Sequence, residues 1–142
     1  MKKIISMSFL MFFAISLITC AADAKPTKQA KIVVSSNAKV EVYYFHFTRR
    51  CVTCQAVETE SKKAVQALYP TQVKQGKVSF KQVNLDEKSS AAIAKKYNVA
   101  GQTLLVVSGN KKVDLTDKGF MYAYSSADKL KAELKKVIDP LL

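Results

Sequence analysis

From Val40 to Phe47 the chain reads Val-Glu-Val-Tyr-Tyr-Phe-His-Phe, β-branched and aromatic with almost no polar alternation. That pattern belongs to a strand covered on both faces, and it places the segment at the centre of a sheet. After Thr48-Arg49-Arg50 the period becomes helical, with Cys54, Val57, Ala64, Val65 and Leu68 on one face. Pro70 predicts the end of this helix after Tyr69, because the residue before a proline is pushed out of the helical region. Gly76 marks a turn into Lys77 to Leu85, where Val78, Phe80 and Gln82 alternate with Ser79, Lys81 and Val83 as in an amphiphilic strand. A strand, a helix and a second strand in one sheet imply a right-handed crossover.

Asp86 is placed to cap a short helix running through Tyr97, with Ile93 and Tyr97 four apart and Asn98 at the C-terminal cap. Thr103 to Ser108 reads as a strand, and the two turn residues Gly109-Asn110 join it to Lys111 to Thr116 as an antiparallel hairpin. Phe120, Tyr122 and Tyr124 read as packing residues ahead of a final helix capped by Ser125 or Ser126. In that helix Leu130, Leu134, Val137 and Ile138 form one apolar stripe, and Asp139-Pro140 ends it. The order is β-α-β-α-β-β-α, with neither an internal repeat nor a second-domain boundary.

The 142 residues, 49% apolar and 24% charged with 4 Gly and 3 Pro, suit one folded domain and exclude collagen-like, disordered and low-complexity classes. The start is different in kind: Lys2 and Lys3, an apolar run from Ile4 to Ile18, then small residues, which together predict an export signal over residues 1–24. The run falls short of the roughly 20 residues that a membrane-spanning helix needs. Ala22-Asp23-Ala24 fits a cleavage site, Leu17-Ile18-Thr19-Cys20 resembles a lipobox that makes Cys20 a lipidation candidate, and an uncleaved anchor is the third route. Each predicts an exported, periplasmic domain, membrane-anchored as a lipoprotein if Cys20 is modified. Residues 25–38 read as a polar linker or a peripheral strand around Ile32-Val33-Val34, and residues 39–142 as the domain. With 23 Lys plus Arg against 11 Asp plus Glu, the charge of +12 suits an acidic partner or an anionic lipid surface, or simply a solvated face. Export and the lack of an aromatic-basic cluster speak against nucleic acid.

Of the 3 Cys, Cys51 and Cys54 carry the chemistry. Cys51-Val52-Thr53-Cys54 falls where the buried strand gives way to the helix, so backbone N–H groups and the positive end of the helix dipole favour a thiolate there. A free thiol titrates near about 8.5, and roughly 2–3 kcal/mol of such stabilisation brings it towards neutrality. Cys51 is then the exposed nucleophile and Cys54, on the apolar helix face, the resolving thiol. Half of a zinc or soft-metal site is a second reading; tetrahedral zinc wants four ligands and His46 is the only imidazole, so a dimer would be needed. A structural disulfide is a third, although so short a loop removes little chain entropy. Arg49 and Arg50 are solvated loop charges or thiolate-tuning and anion-binding groups. His46, on the strand face of Val42 and Tyr44, is a hydrogen-bonded core residue or a proton relay.

These features resemble the thioredoxin-like superfamily across Val40 to Leu142. The shared layout is the element order, the CxxC after the first strand, Val83-Asn84-Leu85-Asp86 ending the second, and Tyr97-Asn98-Val99-Ala100-Gly101 before Thr103-Leu104-Leu105. The string from Tyr44 to Cys54 and the Gly101-Gln102-Thr103 segment are similar to a narrower group of exported bacterial proteins, the ArsF family of nitrophenyl compound nitroreductase subunits. The resemblance implies a thioredoxin-like α/β fold, a central mixed sheet with helices on both faces. The CxxC at a strand-to-helix junction and the export pattern together predict an exported thiol-disulfide oxidoreductase, a monomer needing no cofactor or metal. Its partner would be a protein thiol or disulfide, on a membrane or exported reductase, in the reduction of nitroaromatic or organoarsenical compounds. Gln102 and Thr103 then fall in the substrate-contact segment. The chain departs from the family at Gln102, where a cis-proline is usual, at Arg50, where an aromatic is usual, and in having Val-Thr between the cysteines; the usual buried acid falls near Phe45. Two readings of another class are a dithiol that captures a soft metal or arsenite, and a non-catalytic adaptor docking its basic face on a larger reductase.

Overall fold

The computed structural model describes residues 40–142. The export signal over 1–24, the segment 25–38, Lys39 and the lipidation candidate Cys20 lie outside the described residues. Strand β1 (Val40–His46) takes a partner on each edge: β2 (Val78–Asn84) runs parallel to it and β3 (Thr103–Ser108) antiparallel. Strand β4 (Lys111–Asp114) continues antiparallel beside β3, giving the order β2-β1-β3-β4. Six of the seven residues of β1 are buried, Glu41 being the exception, as its largely apolar run predicts.

Alternation along β1 feeds two cores. Val40, Val42 and Tyr44 pack with Val57, Ala64 and Val65 of helix α1 (Val52–Leu68) and with Leu130, Leu134 and Ile138 of the last helix, Ala127–Ile138. Tyr43 and Phe45 point the other way, against Val83, Leu105, Val107 and Tyr97. The result is a mixed sheet with helices on both faces, the thioredoxin-like arrangement, and it places the start of α1 at the C-terminal end of the central strand.

Helix α1 stops one residue before the expected end: Tyr69 is its C-cap, and Pro70 opens a second short helix, α2 (Pro70–Lys74), at the position where a missing N–H costs nothing. The helix expected from Asp86 is a 3-10 turn, Lys88–Ser90, followed by α3 (Ala91–Tyr97), and Asp86 does not cap it. Asn98 does end α3 in the left-handed conformation, with φ 55°. Lys81 departs from a simple amphiphilic strand. Only 8% exposed, it bonds Glu41 through Nζ and sits 5.4 Å from the Tyr43 ring, so its charge is paired where it is buried.

The hairpin turns at Gly109, whose φ of 55° suits glycine, but β4 ends two residues early. Thr116 turns the chain, its N–H and hydroxyl both donating to the Asp114 carboxylate, and opens an unforeseen helix, α4 (Thr116–Tyr122). Within it Phe120 and Tyr122 pack partly against the core, whereas Tyr124, just beyond, is 71% exposed and is not a packing residue. Helix α5 (Ala127–Ile138) has Ser126 at its N-cap without a side-chain bond, and Val137 lies at the margin of its buried stripe. Among the described residues no helix is long and apolar enough to cross a membrane.

Candidate functional site: a cysteine pair capping a helix

Strand β1 delivers the chain to the first turn of α1 through the loop Phe47 to Arg50. Leu85 donates its N–H to the His46 carbonyl at 2.7 Å, and the Thr48 N–H donates to Asp86 Oδ2 at 2.7 Å. Asn84 Nδ2 donates to the Thr48 hydroxyl at 3.0 Å, and the Asp86 N–H returns to Asn84 Oδ1 at 3.1 Å. The two Thr48 bonds, N–H first and hydroxyl second, hold the Asp86 carboxyl below its ordinary value, with the His46 charge adding a smaller pull. Asp86 therefore fixes the loop that presents the cysteines.

Cys51 is the N-cap of α1 in extended conformation, the place where Ser, Thr, Asp or Asn ordinarily supplies an acceptor to the free N–H groups. Here sulfur does so: Cys51 Sγ accepts from the Cys54 N–H at 3.2 Å, and Cys54 Sγ accepts from the Cys51 N–H at 3.3 Å. The two residues are joined as a disulfide with Cα atoms 5.1 Å apart. Their exposures differ: Cys51 faces solvent, Cys54 is 3% exposed, and Val52 between them is 66% exposed. The first turn of α1 carries no acidic residue, so nothing there offsets the positive end of the helix dipole at the sulfurs.

The other residues singled out by sequence surround this pair unevenly. His46 is 7% exposed, its ring stacked on Tyr44 at 5.9 Å, and Nδ1 lies 3.0 Å from the Phe47 carbonyl. A carbonyl only accepts, so Nδ1 carries the proton. Arg49 is exposed. Arg50 turns inward and forms an ion pair with Glu58 of α1. Gln102 accepts from the Tyr44 hydroxyl at 3.2 Å, while the Thr103 hydroxyl donates to the Gly101 carbonyl at 3.0 Å and its backbone pairs with Phe45. All described peptide bonds are trans, that before Gln102 included.

Phe45, near which the buried acid usual in thioredoxin-like proteins would fall, faces away from α1 towards Tyr97. On the face of β1 that packs with α1, Tyr44 carries a buried hydroxyl; burial pushes its pKa up to about 12 despite the opposing Arg50 charge. Sequence reasoning passed over Tyr44 and Glu58. The signal for Glu58 was its place one helical turn beyond Cys54, eight residues after an arginine. Among the described residues no group of three or more His, Cys, Asp or Glu is arranged to hold a metal ion.

Strand order and helix placement define a thioredoxin-like fold, with a disulfide-bonded cysteine pair at the N-terminus of its first helix. No family model and no curated protein matches the chain. Among solved structures it is similar to oxidized mitochondrial thioredoxin 3 of Saccharomyces cerevisiae, at 27% identity and TM-score 0.39 over 54% of this chain and 63% of that one. It is also similar to the germline-specific thioredoxin Deadhead of Drosophila melanogaster, at 17% identity and TM-score 0.44 over 75% and 85%. A malarial protein is similar at 24% identity and TM-score 0.45 over 69% and 96%.

Proposed function

We propose that the protein is an exported thiol-disulfide oxidoreductase in which Cys51 attacks and Cys54 resolves. The observation that carries this reading is the asymmetry of the pair: one sulfur exposed at the start of a 17-residue helix, the other buried one turn further in. In the reducing direction the Cys51 thiolate attacks one sulfur of a partner protein's disulfide. A Cys51–partner bond forms, and the partner's other sulfur leaves as a thiolate and takes a proton. Cys54 then loses its proton and attacks Cys51 Sγ, closing the Cys51–Cys54 bond and releasing the second partner thiolate, which is protonated in turn. The partner gains two electrons and two protons, and the pair loses the same. An oxidising partner exchange runs through the same steps in reverse.

The setting we propose is periplasmic, as the redox subunit of a system reducing nitroaromatic or organoarsenical compounds. It rests on the export pattern of residues 1–24 and on the strings around Cys51 and Gln102. A Cys54→Ala variant of the exported protein leaves the mixed disulfide unresolved. It is expected to accumulate partner proteins bound through Cys51, recoverable under non-reducing conditions and released by dithiothreitol. No trapped species, together with Cys51 alkylating no faster than a model thiol, overturns the reading.

A further inference from the structure

Arg50 sits immediately before Cys51, yet its guanidinium does not face solvent as a loop charge would. Its side chain is 23% exposed and ion-paired with Glu58, itself 14% exposed and one helical turn beyond Cys54. The pair thus ties the residue before the exposed sulfur to the helix segment behind the buried one. The Arg50 charge also lowers the Tyr44 hydroxyl, against the larger effect of burial. The remaining charged and titratable groups near the loop are exposed or bonded elsewhere. Arg49 is exposed, Asp86 binds Thr48, His46 donates to the Phe47 carbonyl, and Tyr44 donates to Gln102. A partly buried cation here would strongly favour a thiolate at Cys51, because charges act further where water is excluded. The Glu58 carboxylate, paired with it, opposes that field.

We propose that Glu58 is a positioning residue that neutralises Arg50 and so sets the thiolate affinity of Cys51 and the reduction potential of the pair. This rests on the exchange chemistry proposed above and adds to it the residue that tunes it. Removing the Glu58 charge leaves Arg50 unopposed beside Cys51. The thiolate, present only in the reduced form, gains, and the equilibrium moves towards the dithiol. Removing Arg50 instead leaves an unpaired carboxylate one helical turn from Cys54 and moves it the other way. Removing both restores something near the wild-type balance, because the two charges act through each other.

The test measures wild type, Glu58→Gln, Arg50→Gln and the double variant for two quantities: the pH dependence of Cys51 alkylation, and the equilibrium with a dithiothreitol redox buffer. Glu58→Gln is expected to lower the pH of half-maximal alkylation and to shift the equilibrium about three- to tenfold towards the dithiol, equivalent to about 15 to 30 mV. Arg50→Gln is expected to shift both the opposite way, and the double variant to return within about twofold of wild type. Glu60→Gln, on the same helix but paired with Lys63 at the surface, is the control and should change neither. Loss of a merely structural ion pair would lower unfolding stability and be no better in the double variant. An unshifted Glu58→Gln, or a double variant no closer to wild type, overturns the assignment. Wild-type protein that does not equilibrate with the buffer, together with a Cys54→Ala variant that traps no partner, overturns the exchange reading itself, so the two failures are told apart.

Discussion

Asp86 is the residue on which the geometry of the cysteine loop turns, and its carboxylate gives that geometry a pH dependence. Its pKa is lowered by the Thr48 N–H and hydroxyl, so it binds a proton less readily folded than unfolded. Such a group contributes stability above its unfolded pKa, and the contribution is lost as pH falls through the lower folded value. Asp86→Asn is therefore expected to melt below wild type at about pH 5 and to converge on it as the pH drops towards about 2. Thermal unfolding followed by circular dichroism at several pH values checks this; a constant gap would contradict it. The part Asp86 plays was not legible in sequence. A side chain just after a strand and ahead of a helix reads as a cap, and only the parallel pairing of β1 with β2 brings it beside Thr48, 38 residues earlier. The same limit hid Tyr44. The period of 2 fixes which face of β1 it occupies, but not that its hydroxyl would meet Gln102, 58 residues on.

Elements with strong periodicity were legible almost to the residue, because their burial is regular. Strand β3 spans Thr103–Ser108 as its run predicts, Asn98 ends α3, and α5 buries Leu130, Leu134 and Ile138 at four-residue spacing. Helix α4 was not legible: seven residues with a glycine in the middle carry little helix signal, and tertiary contact supplies the rest. Gly119 explains the contact. A Cβ there would meet Val57 Cγ1 and Leu104 Cδ2, each at 3.2 Å, so the missing side chain lets α4 lie against α1 and β3. Alanine favours a helix interior by about 0.5 to 1 kcal/mol over glycine, whereas overpacking a core costs about 1 to 3 kcal/mol. Val57 and Leu104 are fully buried and held by separate elements, so the second effect wins. Gly119→Ala is expected to lose about 1 kcal/mol in denaturant unfolding. A gain would mean that α4 can move off without cost.

Over the whole molecule, the fold turns one end of a central strand into a platform for two sulfurs. Strand β1 is buried on both faces and paired on both edges, so the loop after it starts from a fixed point, and α1 begins there with the Cys54 N–H directed at Cys51 Sγ and the N-cap Cys51 N–H at Cys54 Sγ. That placement was legible from the hydrophobic run, the change of period and the CxxC between them. The charge balance around it was not, because Glu58 meets Arg50 only once α1 has packed. The central claim is that the pair exchanges electrons reversibly with protein partners. Its most direct test is the midpoint potential of the Cys51/Cys54 couple, read by alkylation and mass across a graded glutathione redox buffer. The account predicts one two-electron transition with a midpoint between about −270 and −120 mV, the span of exchange-active dithiols. A pair that stays oxidised to potentials below about −300 mV, as structural disulfides do, would contradict it.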